Sequence, residues 1–170
     1  MKKLADKLIL TEILKERNLS MECENLNFKD FAKFSLTDYQ QSAVKNALKI
    51  LEFYYSRERE NLLRKYREFD KNLNAHETNR ASFWMATGSG KTIVMIKLIW
   101  AISRLIKLDI LPKKPILLLA PTEQILSQFK ERINEFNRYQ NTQIDVRELK
   151  DFESINSGLN LYDTTLFIAR

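Results

Sequence analysis

The chain has 170 residues, 44% hydrophobic and 29% charged, the balance of a globular domain long enough to bury a core. Its 28 Lys and Arg against 22 Asp and Glu give a net charge of +6, which leans toward a polyanionic partner without deciding the fold. The one cysteine, Cys23, excludes an internal disulfide framework, cannot build a metal site by itself, and suits a reducing, cytoplasmic location.

In chain order, residues 3–17 read as an amphipathic helix, with Leu4, Leu8, Ile13 and Leu14 near helical spacing. Asp6, Lys7 and Glu12 break its apolar run, so no signal peptide is expected. Phe28, Phe31 and Phe34 follow at intervals of three and read as core. Cys23, without a partner, reads as packing.

Thr37-Asp38 can cap a second helix. From there no Gly or Pro interrupts the chain until Gly88, and the apolar positions from Val44 to Leu73 keep a three-to-four spacing. This predicts one long helix or two nearly collinear ones, ending within 72–79. Its middle, SRERENLLRKYREFDKN, interleaves six bases and four acids, with Glu60 four residues before Arg64. A solvated helix face is the plainer reading, and an arm that touches nucleic acid the sharper one. His76, the only histidine, falls in the polar stretch NAHETNR and is expected at the surface.

After residue 80 short apolar runs alternate with helical patterns. Ser82 to Met85 reads as a strand and Thr92 to Leu108 as a helix; Lys97, Arg104 and Lys107 in its neighbourhood exclude a membrane span. Pro115 to Ala120 reads as a strand and Thr122 to Tyr139 as an amphipathic helix through Ile125, Leu126, Phe129, Ile133 and Phe136. A further strand is expected over Ile144 to Leu149, a short helix over Asp151 to Ser157, and a last apolar run over Thr164 to Ala169. The alternation predicts an α/β fold with a parallel sheet covered on both faces. Trp84 and Trp100 read as core, and Trp84 adjoins the loop described next.

Two of the chain's three glycines fall in WMATGSGKT, Trp84 to Thr92. Backbone phosphate binding needs a tight turn free of side chains that feeds a helix N-terminus. Thr87, Gly88, Ser89 and Gly90 would supply the amides, Lys91 would reach the β- and γ-phosphates, and the Thr92 hydroxyl would ligate Mg²⁺. The strict P-loop has glycine five residues before Gly90; Met85 stands there.

MATGSGKT resembles motif I of superfamily 2 helicases and translocases, and most closely the motor subunits of type I and type III restriction enzymes. LTDYQQSAVKNAL, Leu36 to Leu48, resembles the adenine-recognising Gln motif, with Tyr39 and Gln40 in its Tyr-Gln positions and Thr37-Asp38 where the motif has Arg. PILLLAPTEQILSQF resembles motif Ia, with Pro121, Thr122, Ile125 and Gln128 matching; Glu123 replaces the Arg of DEAD-box RNA helicases. The resemblance spans Leu36 to Gln128. The long interval from Gln40 to Lys91 favours the restriction-type branch. It implies an incomplete RecA-like domain over 81–170, preceded by a helical extension over 1–36 and a Gln-motif and charged-helix region over 37–80.

The resemblance also implies ATP and Mg²⁺ as cofactors, with Lys91 and Thr92 catalytic. Tyr39, Gln40 and the loop from Thr87 to Thr92 would hold nucleotide, and Pro121, Thr122 and Gln128 a nucleic acid strand. Duplex DNA is the expected partner, with RNA the alternative, a methyltransferase subunit possible and no membrane. The acidic Asp-Glu pair that such a motor uses after an apolar strand is missing, since TTLFIA ends at Ala169-Arg170 and Asp163 precedes its strand. The expectation is therefore a piece of a longer motor that binds ATP and hydrolyses little. A small-molecule kinase and a non-catalytic interaction domain that keeps a P-loop are the competing classes.

Overall fold

The computed structural model describes residues 11–15, 17–56, 58–68, 71, 82–152 and 164–170. Residues 11–15 are helical. They are followed by helices α1 (Met21–Glu24), α2 (Asp38–Tyr55), α3 (Arg59–Arg67) and α4 (Lys91–Lys107). Strand β1 (Ile116–Leu119), helix α5 (Glu123–Gln140) and strands β2 (Ile144–Glu148) and β3 (Thr164–Ala169) complete the order, with a 3₁₀ turn at Leu149–Asp151. The expectations for residues 3–10, for the end of the long helix at 72–79, for His76 and for 153–157 lie outside the described residues.

The three strands form an all-parallel sheet in the order β1-β3-β2. Together with its helices this is a partial RecA-like α/β fold. The central strand β3 is covered on both faces, with Leu166, Phe167 and Ile168 all buried; Phe152 packs against Phe167 at 5.0 Å. Coverage on both faces does not extend to β1. Leu117 and Leu119 are 48% and 66% exposed, while Ile116 and Leu118 pack on the core.

Helix α5 follows its sequence closely. Thr122 Oγ1 accepts from the Ile125 N–H, Asn141 closes the helix in the left-handed region, and Leu126, Phe129, Ile133 and Phe136 are buried at helical spacing. Ile125, expected in that stripe, is instead 45% exposed. Helix α4 is buried over most of its circumference, through Val94, Ile96, Ile99, Ala101 and Leu105, because α2 and α5 both pack against it.

Cys23, Phe28, Phe31 and Leu36 belong to this same core. Phe31 stacks on Phe34 at 5.2 Å and meets Phe136 at 4.9 Å. Phe34 itself is 40% exposed, so only two of the three phenylalanines are core. Burial, joined by the charges of Glu52 and Glu24, pushes the Cys23 thiol up to about 12, which leaves it inert as a nucleophile.

Of the one long helix or two nearly collinear ones expected after Thr37, there are two: Ser56 sits at ψ 159, and its hydroxyl donates to the Phe53 carbonyl, so α2 stops and α3 starts afresh. Two expectations are corrected. Residues 82–86 form no strand, because a strand needs a neighbour for its amides and none of the described strands pairs with them. Trp84 is fully exposed and not core, whereas Trp100 is buried.

Helix α3 docks through Leu62, Leu63 and Tyr66 onto Ile13, Ile50 and Phe53. Its charges spread outward, with Arg64, Lys65 and Arg67 exposed and Glu60 turned to Arg59 at 3.2 Å instead of to Arg64. Burial opposes ionisation of Glu12, but hydrogen bonds from Tyr66 and Lys65 outweigh it and hold the carboxyl below its ordinary range. Among the described residues no helix is long and apolar enough to cross a membrane.

Candidate functional site: a glycine loop clamped by a glutamine

The loop from Ala86 to Gly90 turns on itself. The Ala86 carbonyl accepts from the Ser89 N–H at 3.2 Å and from the Ser89 hydroxyl at 2.6 Å. Gly88 and Gly90 take φ of 78° and 82°, which costs any residue with a Cβ about 1–2 kcal/mol. Helix α4 begins directly after, with Val94 N–H donating to the Gly90 carbonyl at 3.1 Å. The amides ahead of that bond are the helix's unpaired donors, and they carry its partial positive charge. Lys91 folds back over the loop, donating to the Met85 and Ala86 carbonyls at 2.9 and 2.7 Å.

The Gln-motif residues reach this loop from helix α2. Tyr39 Oη and Gln40 Nε2 both donate to the Ser89 carbonyl, at 2.8 and 2.9 Å. Gln40 Oε1 accepts from the Thr37 N–H at 2.9 Å, half of a capping box at the helix start. Gln40 is 8% exposed. A Cβ on Gly90 would lie 2.5 Å from Gln40 Nε2, so the glycine is required by contact as well as by conformation.

The loop opens into a cleft of about 770 Å³, lined by Lys91, Thr92 and Ile93 on one side and by Gln128, Glu131, Arg132 and Glu135 of α5 on the other. Nucleotide-sized ligands occupy pockets of about 300–1,000 Å³. The amides, the positive-φ glycines and the Lys91 ammonium form a donor set suited to a polyphosphate. Lys91 would exchange its two carbonyls for phosphate oxygens. For Mg²⁺, Thr92 is the one loop hydroxyl in place on α4, and no group of three or more metal-ligating side chains occurs among the described residues. A bound Mg²⁺ would take most of its oxygens from phosphate and water, as this ion commonly does.

Tyr39, Gln40, Gly88, Ser89, Gly90, Lys91 and Thr92 thus come together in space, with the exposed Thr87 at the turn. The motif Ia residues divide. Pro121 and Thr122 lie exposed past the end of β1, where Thr122 serves as the helix cap. Gln128 lines the P-loop cleft. Arg132, Glu131 and Glu135 were not expected there. Arg132 is four residues after Gln128, one helical turn along the same face, and that spacing was the available signal.

The chain matches the family model described as "Type III restriction enzyme, res subunit" over residues 33–164. No curated protein and no solved structure matches it. The matched span contains the Gln40 clamp, the glycine loop, the cleft wall on α5 and strands β1 and β2, and ends where β3 begins. With most of its length accounted for in this way, the chain belongs to the type III restriction enzyme res subunit family, as a helicase-like ATP-binding motor domain.

Proposed function

We propose that this chain is the ATP-binding portion of a motor that translocates on duplex DNA within a restriction system. The observation that carries the nucleotide part is the glycine loop fixed by Gln40 in front of Lys91 and the α4 N-terminus. One N–H and one oxygen lone pair of the Gln40 amide are not used by Ser89 and Thr37. That donor and acceptor pair matches the edge of adenine. Lys91 and the amides of 87–92 would hold the phosphates, and Thr92 the Mg²⁺, which when bound neutralises phosphate charge.

DNA is read through its phosphates in this proposal. Thr122 and the α5 N-terminus, with Pro121 beside them, offer hydroxyl and amide donors past the end of β1, and the chain's net charge of +6 favours a polyanion. Gln128 is the third such residue by the motif, although its place on the cleft wall also puts it within the nucleotide's surroundings. A modification methyltransferase is the protein partner that family membership suggests, and a cytoplasmic location fits the buried, lone Cys23. The domain division at 36 and 80 is part of this proposal, as is low turnover by the chain alone, since no Asp-Glu pair follows an apolar strand in it.

The test is ATP turnover by this chain and by the complete motor subunit, each with duplex DNA, with single-stranded RNA and with neither. Stimulation by duplex DNA in the subunit, with little turnover in the chain, is expected. Stimulation by RNA alone would move the protein to an RNA helicase role. Phosphorylation of a small acceptor would make it a kinase.

A further inference from the structure

The cleft facing the glycine loop contains a guanidinium that the proposed function leaves without a role. Arg132 lines the same cleft as Lys91 and Thr92, from the opposite wall. Its Nη1 donates to Glu135 Oε2 at 2.7 Å, and its side chain is 53% exposed. An exposed ion pair of this kind contributes little stability, so holding the fold together does not account for it. The pair lies three residues apart on α5, so Arg132 can change partner without any backbone movement.

We propose that Arg132 is a phosphate-contacting residue of the nucleotide cleft, parked on Glu135 until a nucleotide arrives. This rests on the reading of the glycine loop as a triphosphate site. Charge balance supports it. The cleft lining carries Lys91 and Arg132 against Glu131 and Glu135, so its formal charges cancel, and both cations are engaged before a polyphosphate arrives, Lys91 by loop carbonyls and Arg132 by Glu135. Turning Arg132 from Glu135 to the ligand adds a cation where phosphate charge accumulates. A planar guanidinium suits this exchange, because carboxylate and phosphate present the same paired-oxygen geometry to it. Loop amides enclose a phosphate from one side, and Arg132 would supply the facing wall with a donor of its own.

The experiment is titration of a fluorescent ATP analogue, with Mg²⁺, into the chain and into Arg132→Gln, Glu135→Gln and Lys91→Ala. Circular dichroism melts of each variant accompany the titrations. Arg132→Gln is expected to weaken binding roughly tenfold with an unchanged melting temperature. Glu135→Gln is expected to bind at least as tightly as the parent chain, because it frees Arg132 and removes a negative charge. Unchanged affinity in Arg132→Gln, with binding lost in Lys91→Ala, would overturn the role of Arg132 and leave the glycine-loop reading intact. Weaker binding in Glu135→Gln would overturn the parking, since the guanidinium would then need its carboxylate. Normal binding by Lys91→Ala would remove the nucleotide site itself.

Discussion

Gln40 Nε2 and the Ser89 carbonyl, 49 residues apart in the chain, meet at 2.9 Å. This one hydrogen bond joins the start of helix α2 to the turn that precedes helix α4. It makes the shape of the glycine loop depend on a side chain that would also read the base. Gln40→Ala is therefore expected to weaken ATP roughly tenfold and to reduce the preference for ATP over GTP. Parallel titrations with the two nucleotides check this; an equal loss for both would remove Gln40 from the adenine site. Tyr39→Phe should lose less, because Gln40 still holds the same carbonyl.

The two loop glycines are expected to respond differently to alanine. Gly88 faces open space, so Gly88→Ala costs only the strain of a positive φ, about 1 kcal/mol. Gly90→Ala adds a Cβ 2.5 Å from Gln40 Nε2 and must push the clamp off Ser89. Denaturant unfolding should rank Gly90→Ala below Gly88→Ala. Placing Gly90→Ala on a Gln40→Ala background should narrow the gap, a coupling that a double-mutant cycle measures. Equal costs in both backgrounds would mean that the clamp does not bear on Gly90.

Lys97 is fully buried. Its Nζ donates to the Asp30 carbonyl at 2.6 Å and lies 4.1 Å from the centre of the Trp100 ring. Burial pushes it down to about 8, against the pull of Asp30. In the unfolded chain it titrates near its ordinary value of 10.5. Between those two pH values the unfolded chain binds more protons, so stability rises with pH across that window. Below about pH 8 the cost of the buried charge is fully present. Lys97→Met should remove this rise and add on the order of 2 kcal/mol at pH 7. Urea unfolding of both proteins from pH 7 to 10.5 checks it; parallel pH profiles would contradict it.

Phe31 and Phe34 are three residues apart and stacked, yet unequal. Phe31 is completely buried and also meets Phe136 of α5. Phe31→Ala should cost about 3–5 kcal/mol. Phe34→Ala, which empties no enclosed space, should cost below about 1 kcal/mol. Thermal or denaturant unfolding separates them. Comparable losses would mean that the 28–36 segment is not part of the core that supports the site.

Elements whose cause is local were legible in the sequence. Helix α5 has its cap at Thr122 and its stripe from Leu126 to Phe136, and β1 and β3 are short apolar runs, β1 between helices α4 and α5. The glycine loop was legible because its chemistry needs adjacent residues. Features set by distant parts of the chain were not. Residues 82–86 have the composition of a strand, but a strand exists only where a neighbour offers a ladder. Lys97 looks like a solvent-facing interruption of an apolar helix; its burial comes from Asp30 and Trp100 closing over it. Ser56 breaks the charged helix without Gly or Pro, because burial of Leu62, Leu63 and Tyr66 against Ile13, Ile50 and Phe53 rewards a fresh start. Arg132 was hidden for a related reason: helix periodicity gives its face, and only the packing of α5 beside α4 gives what that face looks onto.

The measurement that bears most directly on the nucleotide site is calorimetric titration of Mg·ATP into the chain and into Lys91→Ala, with thermal melts of both. Lys91 is exposed and, among the described residues, bonds to loop carbonyls alone, so its removal should leave the melt unchanged within about 0.5 kcal/mol. Binding heat in the parent chain and none in the variant is the expected result. Equal binding by both, with both folded, would contradict a triphosphate site at the glycine loop.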